Sequence, residues 1–394
     1  MEKSILIRNV ATIGITIVIV AVVVKNTSIW NYVRSTPAYW FLADNVGVPA
    51  LRQLDPEVAH KLTILALKHK MGPVESEQAA TLETTVWGLN FRNPVGLAAG
   101  FDKQALAMDG LLKLGFGFIE IGGVTPQPQP GNPKPRMFRL TEDKSVINRF
   151  GLNSDGQEAV AARLANFQKQ PHLGIVGVNL AKNTTSNDII GDYKQGVRSL
   201  GGNVDFIVLN VSCPNVAWTS ELSKDGDELA NMVCAVKQER DAYLTNPKPP
   251  ILIKLGPNMN DDAKKHMAEI AMHCEVDGLV VANTTSERPE TLQSKHSKET
   301  GGLSGPPVKQ AALQTLRDMY RLTNGKIPII GVGGIESGAD AYERIRAGAS
   351  LLEIYTALVY KGPGLVPKIK RDLAALLHKD GFDSVADAVG VDTK

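Results

Sequence analysis

Two lysines, five asparagines, a cysteine and two glycine clusters fall at or just past the ends of short apolar runs in this chain. The lysines are Lys103 and Lys254, and the asparagines are Asn148, Asn179, Asn210, Asn215 and Asn283. An asparagine offers two donors and an acceptor without charge. Several converging amides therefore suit a planar, heteroatom-rich ligand such as a pyrimidine or a flavin ring. An ammonium beside them can hold an anionic group or stabilise negative charge on a reduced ring. Cys213 lies in Asn210-Val211-Ser212-Cys213-Pro214-Asn215. A thiol there is either a small buried apolar residue or, with a lowered pKa, a nucleophile or general base; residue type alone leaves both open. The glycine clusters are Gly301-Gly302-Leu303-Ser304-Gly305 and Gly331-Val332-Gly333-Gly334, with Tyr355-Thr356 further on. Glycines let backbone N–H groups close on phosphate oxygens.

The elements that must position these groups are eight β-branched, apolar runs: Pro94–Ala99, Gly117–Ile121, Gly174–Val178, Phe206–Leu209, Ile251–Leu255, Asp277–Val281, Ile327–Val332 and Leu351–Tyr355. Runs of this length suit strands buried on both faces of a parallel sheet. Alternating with helical stretches, they predict an α/β fold, a (β/α)8 TIM barrel. Such a barrel carries its active site at the C-terminal strand ends and often binds phosphate after strands 7 and 8. The chemistry-bearing residues sit at those ends or, like Asn148, in the loop after the second strand.

The 394-residue chain has room for one barrel plus an N-terminal extension. A formal net charge of +2 gives no footprint for nucleic acid. Cys213, Cys234 and Cys274 show no CxxC spacing, so neither a disulfide framework nor a zinc site is indicated. The seven histidines lack metal-ligand spacing, and no metal is expected. Val10 to Val24 is an uncharged apolar run, with Lys3 and Arg8 before it and Lys25 after. A cleaved signal peptide would need a small-residue site after Val24; none follows, and a retained membrane anchor is the expectation. Trp30, Tyr32, Tyr39, Trp40 and Phe41 resemble an interfacial aromatic belt. Asp55-Pro56 starts a helix whose stripe of Val58, Leu62, Leu65 and Ala66 either packs on the barrel or rests on lipid. The expected organisation is a flank at 1–9, an anchor at 10–27, a helical membrane-associated domain at 28–72, a linker at 73–90, the barrel at 91–380 and a tail at 381–394.

Ten stretches, among them FRNPVGLAAGFDK, FIEIGGVTPQPQPGNPKPRMFRL, VINRFGLNSDG, GVNLAKN, NVSCPN, ILIKLGP, GGLSG and PIIGVGGI, closely resemble the dihydroorotate dehydrogenases, specifically the class 2, membrane-bound, quinone-linked type. The LDPEVAH segment resembles their N-terminal helical domain. The resemblance implies FMN-dependent oxidation of (S)-dihydroorotate to orotate, the fourth step of pyrimidine biosynthesis, with ubiquinone as acceptor. It places Ala98, Ala99, Gly122, Gly123, Asn179, Asn210, Lys254 and Thr284 around the flavin, and Ser304, Gly305, Gly333, Gly334, Tyr355 and Thr356 on its phosphate side. Lys103, Asn148, Leu152, Asn210, Asn215, Asn283 and Thr284 match the substrate pocket. His60, Arg139 and Tyr355 match the mouth of a quinone tunnel. Cys213, Lys103 and Lys254 are the implied catalytic set. A mitochondrial inner-membrane location, a single span, a catalytic domain in the intermembrane space, lipid contact and a monomer are further implications.

The chain departs from the class 2 pattern mainly on the substrate side. Cys213 stands where that class has serine, cysteine being the base of the soluble class 1 enzymes. Val216 replaces a threonine, Leu152 a phenylalanine, Gly123 a serine or threonine, and Ala217–Glu221 differs from the usual loop. The changes fit either an active enzyme with a thiol base or a diverged paralogue with altered substrate or little activity, a catalytically weak flavin-binding membrane protein.

Overall fold

The computed structural model describes residues 27–77, 79–212, 226–245 and 247–393. Its strands, in chain order, are β1 (Thr84–Val86), β2 (Leu89–Phe91), β3 (Val95–Leu97), β4 (Phe118–Val124), β5 (Met137–Leu140), β6 (Ser145–Asn148), β7 (Ile175–Leu180), β8 (Phe206–Asn210), β9 (Ile251–Leu255), β10 (Gly278–Val281), β11 (Gly302–Ser304), β12 (Ile329–Val332) and β13 (Ala349–Ile354). Eight of them, β3, β4, β7, β8, β9, β10, β12 and β13, close a parallel barrel in that order. These are the eight runs expected from the sequence, with ends displaced by at most three residues and β9 matching at both ends. Every residue of β7, β9, β10 and β12 is buried. Strands covered on both faces are mostly apolar, which is why their sequences do not alternate; Asn179 on β7 and Lys254 on β9 are the buried polar exceptions in these four.

The barrel's N-terminal end is plugged by aromatic rings. Phe118 and Phe206 lie in the bore with Phe91 against Phe118, centroids 5.5 Å apart. Gly96 and Gly177 face these rings, and a Cβ on either would come within 2.3 and 2.1 Å of one. Glycine there is a packing requirement. Part of the stretch expected to be linker builds this plug: β1 and β2 form a hairpin turned by Trp87 (φ 55°) and Gly88 (φ 75°), both left-handed as a two-residue turn demands. Trp87 Nε1 donates to Asp277 O at 2.6 Å, fixing the hairpin to the barrel. At the other end of the chain, the helix Val385–Ala388 buries Val385 and Ala388 in the main core, so the expected tail also packs on the barrel.

At the C-terminal mouth, β5, β6 and β11 make an antiparallel sheet that joins the loop after β4 to the loop after β10. Beside it lie the helices Thr27–Ser35, Pro37–Leu42, Val48–Arg52 and Pro56–Lys68. Asp55 caps the last of these by accepting from Glu57 N and Val58 N, as the Asp-Pro start predicts. Its apolar stripe does not pack on the barrel: Val58, Leu62 and Leu65 are exposed, while Leu67 and Glu57 are buried. The anchor at 10–27 lies outside the described residues except for its last residue. Among the described residues no helix is long and apolar enough to cross a membrane.

The cysteines require a correction. Cys234, on the helix Gly226–Tyr243, and Cys274, capping Asp261–His273, are joined in a disulfide across 40 residues of chain. Spacing gave no sign of it because the bond is made between helices that neighbouring barrel units bring together. Closing a loop of this length removes unfolded-state entropy worth about 4 kcal/mol in the chain-entropy model. Reductant, or Cys234→Ser, is expected to lower the melting temperature of the purified protein; equal melting curves with and without reductant would show the bond to be absent or without effect.

Candidate active site

The strand ends converge as barrel geometry requires. Asn179 on β7, Asn210 on β8 and Asn283 just past β10 form one row of side-chain amides. Asn210 Nδ2 donates to Asn179 Oδ1 at 3.2 Å, and Asn283 Nδ2 donates to Asn210 Oδ1 at 3.2 Å and to Ser212 Oγ at 3.3 Å. Ser212 Oγ in turn donates to Lys254 O at 2.6 Å. Asn179 Nδ2 donates to Glu120 Oε1 at 2.6 Å, and Lys254 Nζ donates to Glu120 Oε2 at 2.9 Å. Glu353 completes this floor, with Oε2 3.6 Å from Lys254 Nζ. Burial depresses Lys254, but the two carboxylates outweigh it and its pKa stands above the ordinary lysine value. Glu353 is pushed well above the carboxylate range by burial and then by Glu120, with Lys254 opposing.

Above the floor the pocket is lined by Ala98, Ala99, Gly123 and Thr284, and on the mouth side by Lys103, Asn148 and Leu152. Lys103 Nζ donates to Asn153 Oδ1 at 2.9 Å and sits 4.2 Å from the centroid of the Phe150 ring. Asp102 shapes the turn that carries it, accepting from Leu106 N and Ala107 N. At the far end are Ser304, Gly305, Gly333, Gly334, Tyr355 and Thr356, where Thr356 Oγ1 donates to Ser304 Oγ at 2.8 Å. Gly334 has φ +71°, and a Cβ there would lie 2.7 Å from the Lys309 Cα. The backbone of this loop is thus available at close range only because the residue is glycine.

One pocket therefore gathers the described members of the expected flavin and substrate sets except Gly122. Gly122 lies behind the wall, its carbonyl accepting from Gly100 N at 2.8 Å. Cys213 and Asn215, with Val216 and Ala217–Glu221, lie outside the described residues. His60 and Arg139 are beyond the pocket. His60 Nε2 contacts Phe101 O at 2.7 Å, and its ring meets Phe101 edge-on; Phe101 meets Tyr355 the same way at 5.4 Å. Burial lowers the His60 pKa, with Lys103 adding to it. Arg139 donates to the carbonyls of Leu51, Arg52 and Leu54, holding the C-terminal end of Val48–Arg52.

The family model for dihydroorotate dehydrogenase matches residues 81–377, the whole barrel and its plug. The chain belongs to the dihydroorotate dehydrogenase family. It is 50% identical over 369 residues to the mitochondrial dihydroorotate dehydrogenase (quinone) of Mus musculus, covering 92% of this chain and 93% of that one. It is 49% identical over 347 residues to the dihydroorotate dehydrogenase (quinone) of Rhodospirillum rubrum, covering 87% and 93%. The crystal structure of the Eimeria tenella dihydroorotate dehydrogenase in complex with ferulenol superposes with a TM-score of 0.83 at 39% identity, covering 86% of this chain and 96% of that one. Relatives of both mitochondrial and bacterial origin carry the quinone name.

Several residues of this dehydrogenase pocket escaped the sequence reading. Glu120 and Glu353 stand in the apolar runs FIEIGG and LLEIY, and Phe150, Asn153 and Ser212 flank residues already singled out. A lone acid inside an otherwise apolar strand was the available signal, since a buried carboxylate demands a partner.

The helical region is bolted to the barrel beside this pocket. Arg136 Nε and Nη2 pair with Glu57 Oε2 and Oε1 at 3.1 and 3.0 Å, both side chains buried. Arg136 also lies 5.1 Å from the Phe150 centroid, on the ring that Lys103 approaches. Burial pushes the Glu57 carboxyl up, but Arg136 and Lys134 outweigh it and hold it below the ordinary value. A depressed carboxylate stabilises fully above its unfolded pKa and loses that contribution as pH falls through the folded value. Glu57→Gln is expected to cost about 3 kcal/mol, as removing one partner of a buried pair does, and to flatten the acid limb of the melting temperature below the ordinary glutamate pKa of about 4.3. An acid limb identical to wild type would remove Glu57 from that role.

Proposed function

We propose that this chain oxidises (S)-dihydroorotate to orotate, the fourth step of pyrimidine biosynthesis, with FMN as resident cofactor and ubiquinone as final acceptor. The observation that carries the reading is the unbroken row Glu120–Asn179–Asn210–Asn283–Ser212 in a pocket whose far end is a glycine cradle. The residues fit FMN: a slot of Ala98, Ala99 and Gly123 admits a flat ring, Asn179, Lys254 and Thr284 supply polar edges, and Ser304, Gly305, Gly333, Gly334, Tyr355 and Thr356 offer hydroxyls and close backbone to a phosphate. Bound FMN supplies a two-electron acceptor for the hydrogen leaving C6 of the substrate and relays those electrons to quinone.

The chain's own groups do the rest. Lys103 and the amides of Asn148, Asn210, Asn215 and Asn283 bind the carboxylate and the ring of dihydroorotate, and Leu152 covers it. Cys213 Sγ takes the proton from C5 as general base; a thiol of pKa about 8.5 is far better suited to this near neutral pH than a serine hydroxyl. Lys254 holds positive charge where negative charge develops. The buried floor excludes water from the reacting carbons.

For the second half-reaction, ubiquinone enters between the N-terminal helices. The edge-on series His60, Phe101, Tyr355 links the helix Pro56–Lys68 to the pocket. Tyr32, Phe41, Leu42, Val58, Leu62 and Leu65 are exposed on these helices and support contact with lipid. Arg139, anchored on Leu51, Arg52 and Leu54, keeps the entrance helix in place. Val10–Val24 is read as a single span, with the catalytic domain in the intermembrane space of mitochondria and the enzyme a monomer. The altered Leu152 and Val216 favour a second reading, a flavin barrel acting on a related ring.

The test is orotate formation by the full-length protein in lipid vesicles. A ubiquinone analogue is expected to sustain turnover, one quinone reduced per orotate formed. Turnover with fumarate or NAD alone would contradict the quinone assignment, and a product other than orotate would favour the second reading.

A further inference from the structure

The floor of the pocket contains two carboxylates and one ammonium, all shut off from solvent. Glu120 and Glu353 are 1% and 0% exposed, and Lys254 is 5% exposed. Fully ionised, the three would carry a net negative charge in a medium where an uncompensated charge costs several kcal/mol. The hydrogen bonds show which acid yields. Both Glu120 oxygens are engaged, Oε1 by Asn179 and Oε2 by Lys254. Among the described residues neither oxygen of Glu353 has a hydrogen-bond partner, and the cation beside it, Lys254, stands at 3.6 Å, yet the residue lines the pocket. An ionised carboxylate is not left in that condition.

We infer that Glu353 is a neutral carboxylic acid and a positioning residue: it leaves Glu120 as the sole counter-ion of Lys254, brings the floor to zero net charge, and sets a protonated carboxyl in the lining of the pocket. The groups that face it are Glu120 from β4 and Lys254 from β9. Burial and the Glu120 charge both act to keep its proton on. The proposal leans on the flavin reading only for what that ligand is.

The experiment is infrared spectroscopy of the purified protein, following the C=O stretch of a protonated carboxyl group at pH 7 to 9, where a solvated glutamate is ionised. A band is expected in the wild type and lost in Glu353→Gln. It is also expected to be lost in Glu120→Gln, where Glu353 must ionise to become the partner of Lys254. Flavin retention is expected to fall about tenfold in Glu353→Ala, the loss of one hydrogen-bonding group from a buried network, and to be largely restored in Glu353→Gln. No band in the wild type, a band that survives Glu353→Gln, or one that survives Glu120→Gln overturns the inference; the first needs no variant to fold. Protein that shows the band but never carries flavin would instead overturn the flavin reading and leave Glu353 as assigned.

Discussion

Cys213→Ala slows the reduction of enzyme flavin by dihydroorotate by about 10²- to 10⁴-fold, the span expected for loss of a general base. Binding of orotate and of FMN should change little, since the amides and lysines that make the pocket remain. Cys213→Ser separates base strength from mere presence. A thiol titrates near 8.5 or lower, so the wild-type rate should rise with pH through that region and then level off. A serine hydroxyl does not titrate there, so the rise in the serine variant should move to more alkaline pH. Stopped-flow traces of flavin bleaching across pH 6 to 10 read both effects. An alanine variant as fast as wild type would move the base elsewhere.

Lys254→Met has the second large effect, on the protein as well as on the reaction. Its Nζ sits 2.9 Å from Glu120 and 3.6 Å from Glu353. Removing the ammonium strands the buried Glu120 carboxylate, and breaking such a pair from one side costs about 3–5 kcal/mol. The variant is expected to melt well below wild type and to be purified with little flavin. Adding Glu120→Gln should recover much of the stability, because it removes the stranded charge, but not the catalytic rate. Melting curves and the flavin-to-protein ratio check this. A Lys254→Met protein as stable as wild type would mean that the floor carries no ionic pair.

What could be read from the chain follows from what is local in it. The eight barrel strands are continuous apolar runs because both faces are buried, and that pattern survives in one dimension. The Asp55 cap and the strand-end asparagines are likewise local signals. The sheet of β5, β6 and β11 was not foreseen, because it pairs Gly302 with Asn148, more than 150 residues apart. The Cys234–Cys274 bond is hidden for the same reason. Glu120 and Glu353 are legible as acids in apolar strands that demand a partner, but that the partner is Lys254 shows only across the bore. The outward turn of Val58, Leu62 and Leu65 was undecided at the sequence level, because an apolar stripe does not say which surface it meets.

The central claim is tested most directly by mixing the purified protein with (S)-dihydroorotate without oxygen and following the absorbance of oxidised flavin. Bleaching on mixing, reversed by a ubiquinone analogue, is the expected result and establishes both half-reactions. A flavin spectrum that stays oxidised would leave the flavin barrel standing and contradict dihydroorotate as its substrate.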